Sequence, residues 1–164
     1  MTQENNEKTK DKLRIQRTKE GTIFEIVTAI LIVILWIIAI ALYNKLPDTV
    51  PTHFNLSGEA DGFGSKSIVF IMAGLNTLVA ILLLTTAYYP QTQIRTPFRI
   101  RNNQQYVPLI RMVRCLAVVC SILLTGIVIR ISGNPVGTYL FTAALILLFV
   151  VCIFFNIQAY RLRK

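Results

Sequence analysis

Four long apolar runs dominate this chain and limit how it can fold. They cover residues 23–43, 67–89, 107–131 and 137–160. Each can cross a hydrocarbon layer about 30 Å thick, which takes roughly 20 helical residues, and a backbone in lipid must satisfy its hydrogen bonds within the segment. Hydrophobic residues make up 54% of the chain, which exceeds the roughly 45–50% of soluble domains. The sequence therefore predicts an all-α membrane protein with four transmembrane helices, the first of them an uncleaved anchor.

The basic residues are concentrated in three places, and this distribution predicts the orientation of the chain. Of the 17 Lys and Arg residues, 14 lie before the first run, from the second run into the third, or at the C-terminus. Only Lys45, Lys66 and Arg130 fall on the other side. Because cytoplasmic loops are enriched in Lys and Arg, we expect a multi-pass protein of the cell membrane with both termini in the cytoplasm.

This orientation divides the chain into four parts. Residues 1–22 form a basic cytoplasmic tail, and 23–89 form a two-span domain whose extracytoplasmic loop covers 44–66. Residues 90–106 form a basic cytoplasmic loop, and 107–164 form a two-span C-terminal half. No aromatic residues are interleaved with the basic ones as on a nucleic-acid platform, so we expect no nucleic acid. The arginines expected to contact membrane lipids or a cytoplasmic regulator are Arg95, Arg99, Arg101, Arg111 and Arg114.

Polar and small residues within the runs indicate how the helices pack. Asn76 is the one strongly polar residue well inside the second run, and we expect it to hydrogen-bond a neighbouring helix. Gly74 and Gly126 permit close approach of helices. The three cysteines lie in predicted spans and are interpreted as small apolar packing residues.

The predicted outer loop has the composition of an ordered segment. Pro47 and Pro51 restrict the residues before them to extended geometry, so the first helix should end before this point. Residues 52–56 are β-branched and aromatic enough for a short strand. Residues 57–58 (SG) and 61–64 (DGFG) are both typical of turns. Such a long connection is usually functional when it is ordered.

One histidine and two carboxylates in this loop leave two interpretations open. His53, Glu59 and Asp61 are residue types that zinc uses, and three such ligands with an open position suit a catalytic site. A structural interpretation is favoured, in which His53 bonds to loop carbonyls and Asn55 caps a turn, because no paired motif such as H-E-x-x-H is present. We therefore expect no metal, no cofactor and no catalytic residue. A metal-dependent membrane enzyme or a small permease is the alternative.

Residues 46–66, LPDTVPTHFNLSGEADGFGSK, resemble the signature of a bacterial membrane domain of unknown function. That domain forms the N-terminal part of SdpI-type immunity proteins, which protect cells from their own toxic peptide. For the fuller proteins of this type, the resemblance implies toxin protection and recruitment of a transcriptional repressor to the membrane. It covers the first two runs and their loop. The matching residues are Leu46, Pro47, Pro51, His53, Phe54, Asn55, Gly58, Asp61, Gly62, Gly64 and Lys66.

The leading hypothesis is a non-enzymatic membrane protein that acts in immunity or signalling. Its outer loop would bind a peptide, such as a toxin, or another membrane protein, and the cytoplasmic arginines would carry the response. A structural subunit of a larger complex is a third interpretation of four helices with no active site among them. The outer-loop residues expected to bind the partner or to structure the loop are Pro47, Pro51, His53, Phe54, Asn55, Gly58, Asp61 and Gly62.

Overall fold

A computed structural model describes residues 17–55 and 58–162 of the chain. The predictions made for the tail before residue 17, for residues 56 and 57, and for the last two residues lie outside the described residues. The described part is mostly helical and contains one small sheet. In chain order its elements are α1 (Lys19–Tyr43), β1 (Thr49–Phe54), β2 (Ala60–Ser65), α2 (Ile68–Tyr88), α3 (Pro90–Gln93), a 3-10 helix (Asn103–Gln105), α4 (Tyr106–Ile131) and α5 (Pro135–Arg161).

The long helices confirm the predicted spans. α1, α2, α4 and α5 each contain an apolar stretch long enough to cross a membrane, so this is a multi-pass integral membrane protein. α1 begins at Lys19 rather than at residue 23, because the Thr18 hydroxyl accepts a hydrogen bond from the Gly21 amide and caps the helix. α5 is capped in the same way by Asn134, whose side-chain oxygen accepts from the Val136 amide.

The long helices alternate in direction, so the bundle has two different ends. The hairpin end carries β1, β2 and the short connection between α4 and α5. The basic end carries the first turns of α1 and α4, the last turns of α2 and α5, and the segment from α3 to α4. α4 packs against the other three long helices and is the most buried of them, whereas α5 packs chiefly on α4.

Close contact between α4 and α5 depends on two glycines. A Cβ added at Gly126 would lie 2.7 Å from the backbone nitrogen of Phe141, and one at Gly137 would lie 2.2 Å from the backbone nitrogen of Arg130. Small residues at such contacts allow membrane helices to approach closely. The predicted role of Gly126 is confirmed. The prediction for Gly74 is wrong, because the position of its missing side chain faces open space.

The polar contact between α1 and α2 differs from the one expected. Trp36 Nε1 donates a hydrogen bond to Thr77 Oγ1 across 3.2 Å. Asn76 is fully buried, but its amide has no hydrogen-bond partner among the described residues. The bond to a neighbouring helix therefore comes from Thr77, the adjacent residue, because Thr77 lies within reach of the indole.

The loop between α1 and α2 folds as a β-hairpin, where the sequence predicted a single short strand. β1 and β2 pair antiparallel, with Val50 opposite Gly64 and His53 opposite Gly62. Residues 61–64, expected to form a turn, lie within β2 instead. Glycine is needed there for space, because a Cβ added at Gly62 would lie 2.9 Å from the His53 Cβ.

The hairpin is fixed to the helices at its base, and its tip contains a glycine in a left-handed conformation. Val50 is buried in the apolar core that α1, α2 and α4 share at this end. Lys66 Nζ lies 2.9 Å from Asp48 Oδ1 and joins the two strands at the base. At the tip, Gly58 has a φ of 87°, a left-handed conformation that favours glycine. These contacts make the hairpin an ordered part of the fold, as the sequence predicts.

Candidate binding groove at the hairpin end

A groove with a volume of about 700 Å³ lies between the hairpin and the helix pair α4–α5. One wall is β1 with the hairpin tip, and the other is formed by the end of α4 and the first turns of α5. A volume of this size suits a small ligand or a few residues of a peptide. The residues that line it are Thr52, His53, Phe54, Asn55, Gly58, Ile127, Arg130, Ile131, Thr138, Phe141, Thr142 and Leu145.

Arg130 joins the two walls of this groove. Its guanidinium lies over the Phe54 ring, with Cζ 4.0 Å from the ring centroid. Its Nη2 also donates a hydrogen bond to the Gly58 carbonyl across 3.0 Å. None of the ion pairs in the described part of the chain involves Arg130. The groove therefore contains a positive charge that is held in place by a ring and a carbonyl and that no carboxylate of the described residues neutralises.

The hairpin tip is held by Asn55, as the sequence predicts. Its side-chain oxygen accepts a hydrogen bond from the Glu59 amide at 2.9 Å, and its side-chain nitrogen donates to the Glu59 carboxylate at 3.2 Å. Its backbone carbonyl accepts from the Gly58 amide at 2.9 Å. Side chains of this type commonly bond to nearby backbone in turns. Asn55 thus positions the tip of the groove wall.

His53 pairs with Asp61 across the hairpin, where the sequence predicted bonds to loop carbonyls. His53 Nδ1 lies 2.5 Å from Asp61 Oδ1, and the two side chains are 72% and 45% exposed. The strand register brings the carboxylate within reach, because His53 lies opposite Gly62, the residue that follows Asp61. The pair stands at the rim of the groove and faces the surroundings.

The three potential metal ligands of the loop are not brought together. Glu59 is bonded to Asn55 at the tip, while His53 and Asp61 form their own pair. Within residues 17–55 and 58–162, no group of three or more His, Cys, Asp or Glu side chains is arranged to hold a metal ion. Zinc sites use three or four protein ligands. The arrangement therefore offers two of the ligands that the alternative interpretation requires.

The structure places half of the predicted outer-loop residues in the groove wall. His53, Phe54, Asn55 and Gly58 line it. The others support the hairpin: Asp61 and Gly62 lie on β2 opposite His53, Pro51 lies within β1, and Pro47 lies between α1 and β1.

The opposite wall was missed by sequence reasoning. It consists of the α4 residues Ile127, Arg130 and Ile131 and the α5 residues Thr138, Phe141, Thr142 and Leu145. Arg130 carried one signal, because it is a charged residue at the end of an apolar run on the side that has few basic residues. The α5 residues carried none, since threonine and phenylalanine are ordinary in a membrane helix.

At the basic end, the five predicted arginines have different environments. Arg111 forms a two-bond ion pair with Glu20 of α1, with Nε–Oε1 and Nη2–Oε2 distances of 2.9 and 3.1 Å. Arg114 is only 4% exposed and packs against Gly21, so its side chain is not at the surface. One of its terminal nitrogens has no hydrogen-bond partner among the described residues. Arg95, Arg99 and Arg101 are exposed, as is the ion-paired Arg111.

A second polar cluster links α1 and α2 near the same end. Glu25 of α1 accepts a short hydrogen bond from the Tyr88 hydroxyl of α2. Its other carboxylate oxygen pairs with Arg17 at a distance of 2.6 Å. A carboxylate near the end of a membrane helix is therefore neutralised and bonded, which reduces the cost of holding it there.

Comparison with known proteins finds a family model that matches the part of the chain around the hairpin, and a relative that matches part of the chain. Residues 30–77 match a family model described as "Domain of unknown function (DUF1648)". An uncharacterized protein of the archaeon Archaeoglobus fulgidus is 41% identical over 58 residues, which are 35% of this chain and 32% of that protein. The chain thus spans about a third of the length of this relative. No solved structure matches.

The family match agrees with the resemblance seen in the sequence as far as the domain of unknown function, and no further. The matched segment, residues 30–77, is similar to a domain of unknown function and contains the second half of α1, the hairpin and the first half of α2. The finer assignment to SdpI-type immunity proteins stays a prediction. The matched segment supplies one wall of the groove, whereas Arg130 and the α5 residues lie outside it.

Proposed function

We propose that this protein is a membrane receptor, without catalytic activity, that binds an amphipathic peptide in the groove beside its hairpin. The observation that carries the proposal is Arg130, a fixed guanidinium in a partly apolar groove with no carboxylate partner in the described part of the chain. An acidic side chain or the C-terminal carboxylate of a peptide would supply the missing charge. Apolar side chains of the peptide would contact Ile127, Phe141 and Leu145.

The free edge of β1 supports a peptide as the ligand. The sheet has two strands, so within the described residues the edge of β1 that faces away from β2 has no strand beside it. The β1 residues Thr52, His53 and Phe54 line the groove. An extended peptide can add itself to such an edge through main-chain hydrogen bonds, while alternate side chains enter the pocket below.

The charge distribution supports an outward-facing groove. The arginines of the described basic end outnumber the basic residues of the hairpin end. By the positive-inside rule this favours a hairpin outside the cell membrane, with both termini in the cytoplasm. A peptide would approach from the outer surface, where the groove lies beside the ends of α4 and α5. The exposed arginines Arg95, Arg99 and Arg101 would face the cytoplasm and could contact a regulator.

The resemblance to SdpI-type proteins gives this receptor a biological role in the proposal. A peptide that damages membranes is itself amphipathic, so it has the chemistry that the groove requires. Binding it would protect the cell, and a shift of α4 would transmit occupancy to the basic end, because α4 carries both Arg130 and Arg111. Immunity with signalling is therefore the function we propose, with the toxin class defined by its amphipathic character.

The test is a binding measurement with a matched pair of peptides. An octapeptide of alternating leucine and threonine is prepared with a free C-terminal carboxylate and as the C-terminal amide, and both are titrated into purified protein in nanodiscs. We expect the carboxylate form to bind at least about tenfold more tightly, because a charged hydrogen bond contributes about 1.5–3 kcal/mol. Arg130→Gln should abolish this preference.

Lys45→Gln is the control, since it removes the same charge from an exposed position at the same end without touching the groove. It should retain the preference for the carboxylate. Equal affinity of the wild-type protein for the two peptides would refute the proposal, and so would an unchanged preference in Arg130→Gln.

A further inference from the structure

A second cavity lies at the opposite end of the same helix pair. Its volume is about 340 Å³, and it is bounded by the first turn of α4 and the last turn of α5. It is separate from the groove, because it lies at the basic end and shares no residue with it. The lining residues are Val107, Pro108, Arg111, Gln158, Arg161 and Leu162.

The cavity has an excess of one positive charge. Arg111 is paired with Glu20, and this pair is about half exposed. Arg161 is exposed and takes part in none of the ion pairs formed by the described residues. One monovalent anion would therefore balance the two arginines and the carboxylate. Gln158 adds an amide group that can donate a hydrogen bond to such an anion.

Two hydrogen bonds hold the end of α5 beside the start of α4. Gln105, which is fully buried, donates from its side-chain nitrogen to the Ala159 carbonyl at 3.0 Å. Asn102 donates in the same way to the Leu162 carbonyl at 2.8 Å. The last turn of α5 is thus bonded to the segment that leads into α4. A site formed in advance loses little conformational entropy on binding.

An exposed apolar stripe runs along α5 from the cavity into the membrane span. Val150, Phe154 and Ile157 are each about half exposed, and their spacing places them on the same helix face as Arg161. A ligand with a charged head and a long apolar tail matches this combination. A free anion would occupy the head position and leave the stripe unused.

We propose that this cavity binds the headgroup of an anionic phospholipid. The phosphodiester would lie between Arg111 and Arg161, and an acyl chain would lie along the α5 stripe. Basic pockets between membrane helices are suited to such headgroups, and one basic residue near the surface contributes about 1 kcal/mol. The site is independent of the peptide groove, so either proposal can fail without the other.

The test measures binding of short-chain phosphatidylglycerol to delipidated protein in a non-ionic detergent. We expect Arg161→Gln to weaken binding about fivefold, the equivalent of one lost contact of about 1 kcal/mol. Arg99→Gln is the matched control, because it removes the same charge from an exposed residue of the same end that does not line the cavity. It should leave the affinity unchanged.

Two further titrations test whether the protein recognises the lipid headgroup, rather than the acyl chains alone or a free phosphate. Short-chain phosphatidylcholine should bind more weakly than phosphatidylglycerol and show no dependence on Arg161. Inorganic phosphate should compete only at far higher concentration. The proposal is overturned if both arginine variants weaken binding equally, if phosphatidylcholine binds as well as phosphatidylglycerol, or if inorganic phosphate binds as tightly as the lipid.

Discussion

Arg130 connects the two halves of this protein through one side chain. It extends from α4, lies on the Phe54 ring and bonds to the Gly58 carbonyl, so it fixes the hairpin relative to the C-terminal helices. A cation over an aromatic ring contributes about 0.5–2 kcal/mol, depending on how far it is desolvated. Its position is therefore set before any ligand arrives, which is the condition under which a charged contact gives most to affinity.

Gly137 allows Arg130 to occupy this position. We expect Gly137→Leu to lower the free energy of unfolding by about 2 kcal/mol, in the range of overpacked cores. The reason is that a Cβ at this position would collide with the Arg130 backbone and push α5 away from α4. Thermal unfolding of the purified protein in detergent measures the change. The same displacement should also reduce peptide binding in the groove.

Gly74→Leu is the internal control for this substitution. It adds the same side chain to another membrane helix, but nothing lies within 4 Å of the added Cβ. Its unfolding free energy should change by less than about 1 kcal/mol, the size of the helix-propensity term. Equal destabilisation by both substitutions would show that leucine in the span, and not the α4–α5 contact, is responsible.

His53 illustrates what the sequence shows about a single residue and what it does not. The local spacing correctly brought attention to His53 and Asp61, because residues this close in a short loop are often near each other in space. The partner of Glu59 depends on how the turn folds. Its carboxylate and its backbone amide both bond to the Asn55 side chain. Residue type and spacing therefore indicated candidate ligands, while the hydrogen bonds of the folded turn separated them.

At the scale of elements, the helices could be predicted and the hairpin could not. Apolar length alone determines a membrane helix, because lipid leaves the backbone no other partner. Residues 60–65 contain two glycines and an aspartate and have a composition typical of a turn, yet they form β2. Strand pairing depends on the register of the two segments, and here it tolerates the glycines because they face His53 and Thr52 at short distance.

Gln105 determines how the end of α5 is attached to the bundle. It is fully buried, its side-chain oxygen accepts from the Arg101 amide at 2.7 Å, and its nitrogen donates to the Ala159 carbonyl. We expect Gln105→Ala to lower the free energy of unfolding by about 2 kcal/mol, since buried backbone groups lose their partners. It should also weaken phosphatidylglycerol binding, because the last turn of α5 is released. Thermal unfolding and the lipid titration measure the two effects.

Gln104→Ala is the control, because this neighbour is exposed and belongs to the same 3-10 helix. It should change neither stability nor lipid affinity. If Gln105→Ala lowers stability and leaves lipid affinity intact, the attachment of α5 stabilises the fold but does not form the cavity. If neither quantity changes, the bond to α5 has no role.

At the scale of the whole molecule, the candidate site exists only because two parts of the chain meet. The matched domain ends at residue 77, before α4 begins, and it contributes β1 and the tip to the groove. The other wall comes from α4 and α5, which lie outside the residues that the family model matches. The sequence signature lies in the hairpin, so it could identify only the wall that the hairpin forms. The opposite wall depends on how α4 and α5 pack, and an apolar composition does not determine that packing.

The direction of the whole bundle across the membrane is the last prediction, and it follows from charge. We expect the hairpin outside and the basic end inside, because transferring many arginines across a membrane is unfavourable and cytoplasmic loops retain them. Cysteine is introduced at one exposed position of each end, Thr49→Cys in β1 and Gln104→Cys in the 3-10 helix, after the three native cysteines are changed to serine. A thiol reagent that does not cross membranes should label Thr49→Cys in intact cells, and Gln104→Cys only after permeabilisation.

The two variants control each other, since each is exposed and each must react in permeabilised cells. The reverse pattern would place the groove in the cytoplasm, and a secreted peptide could then no longer be its ligand, whereas the lipid cavity depends on arginine positions alone and would remain.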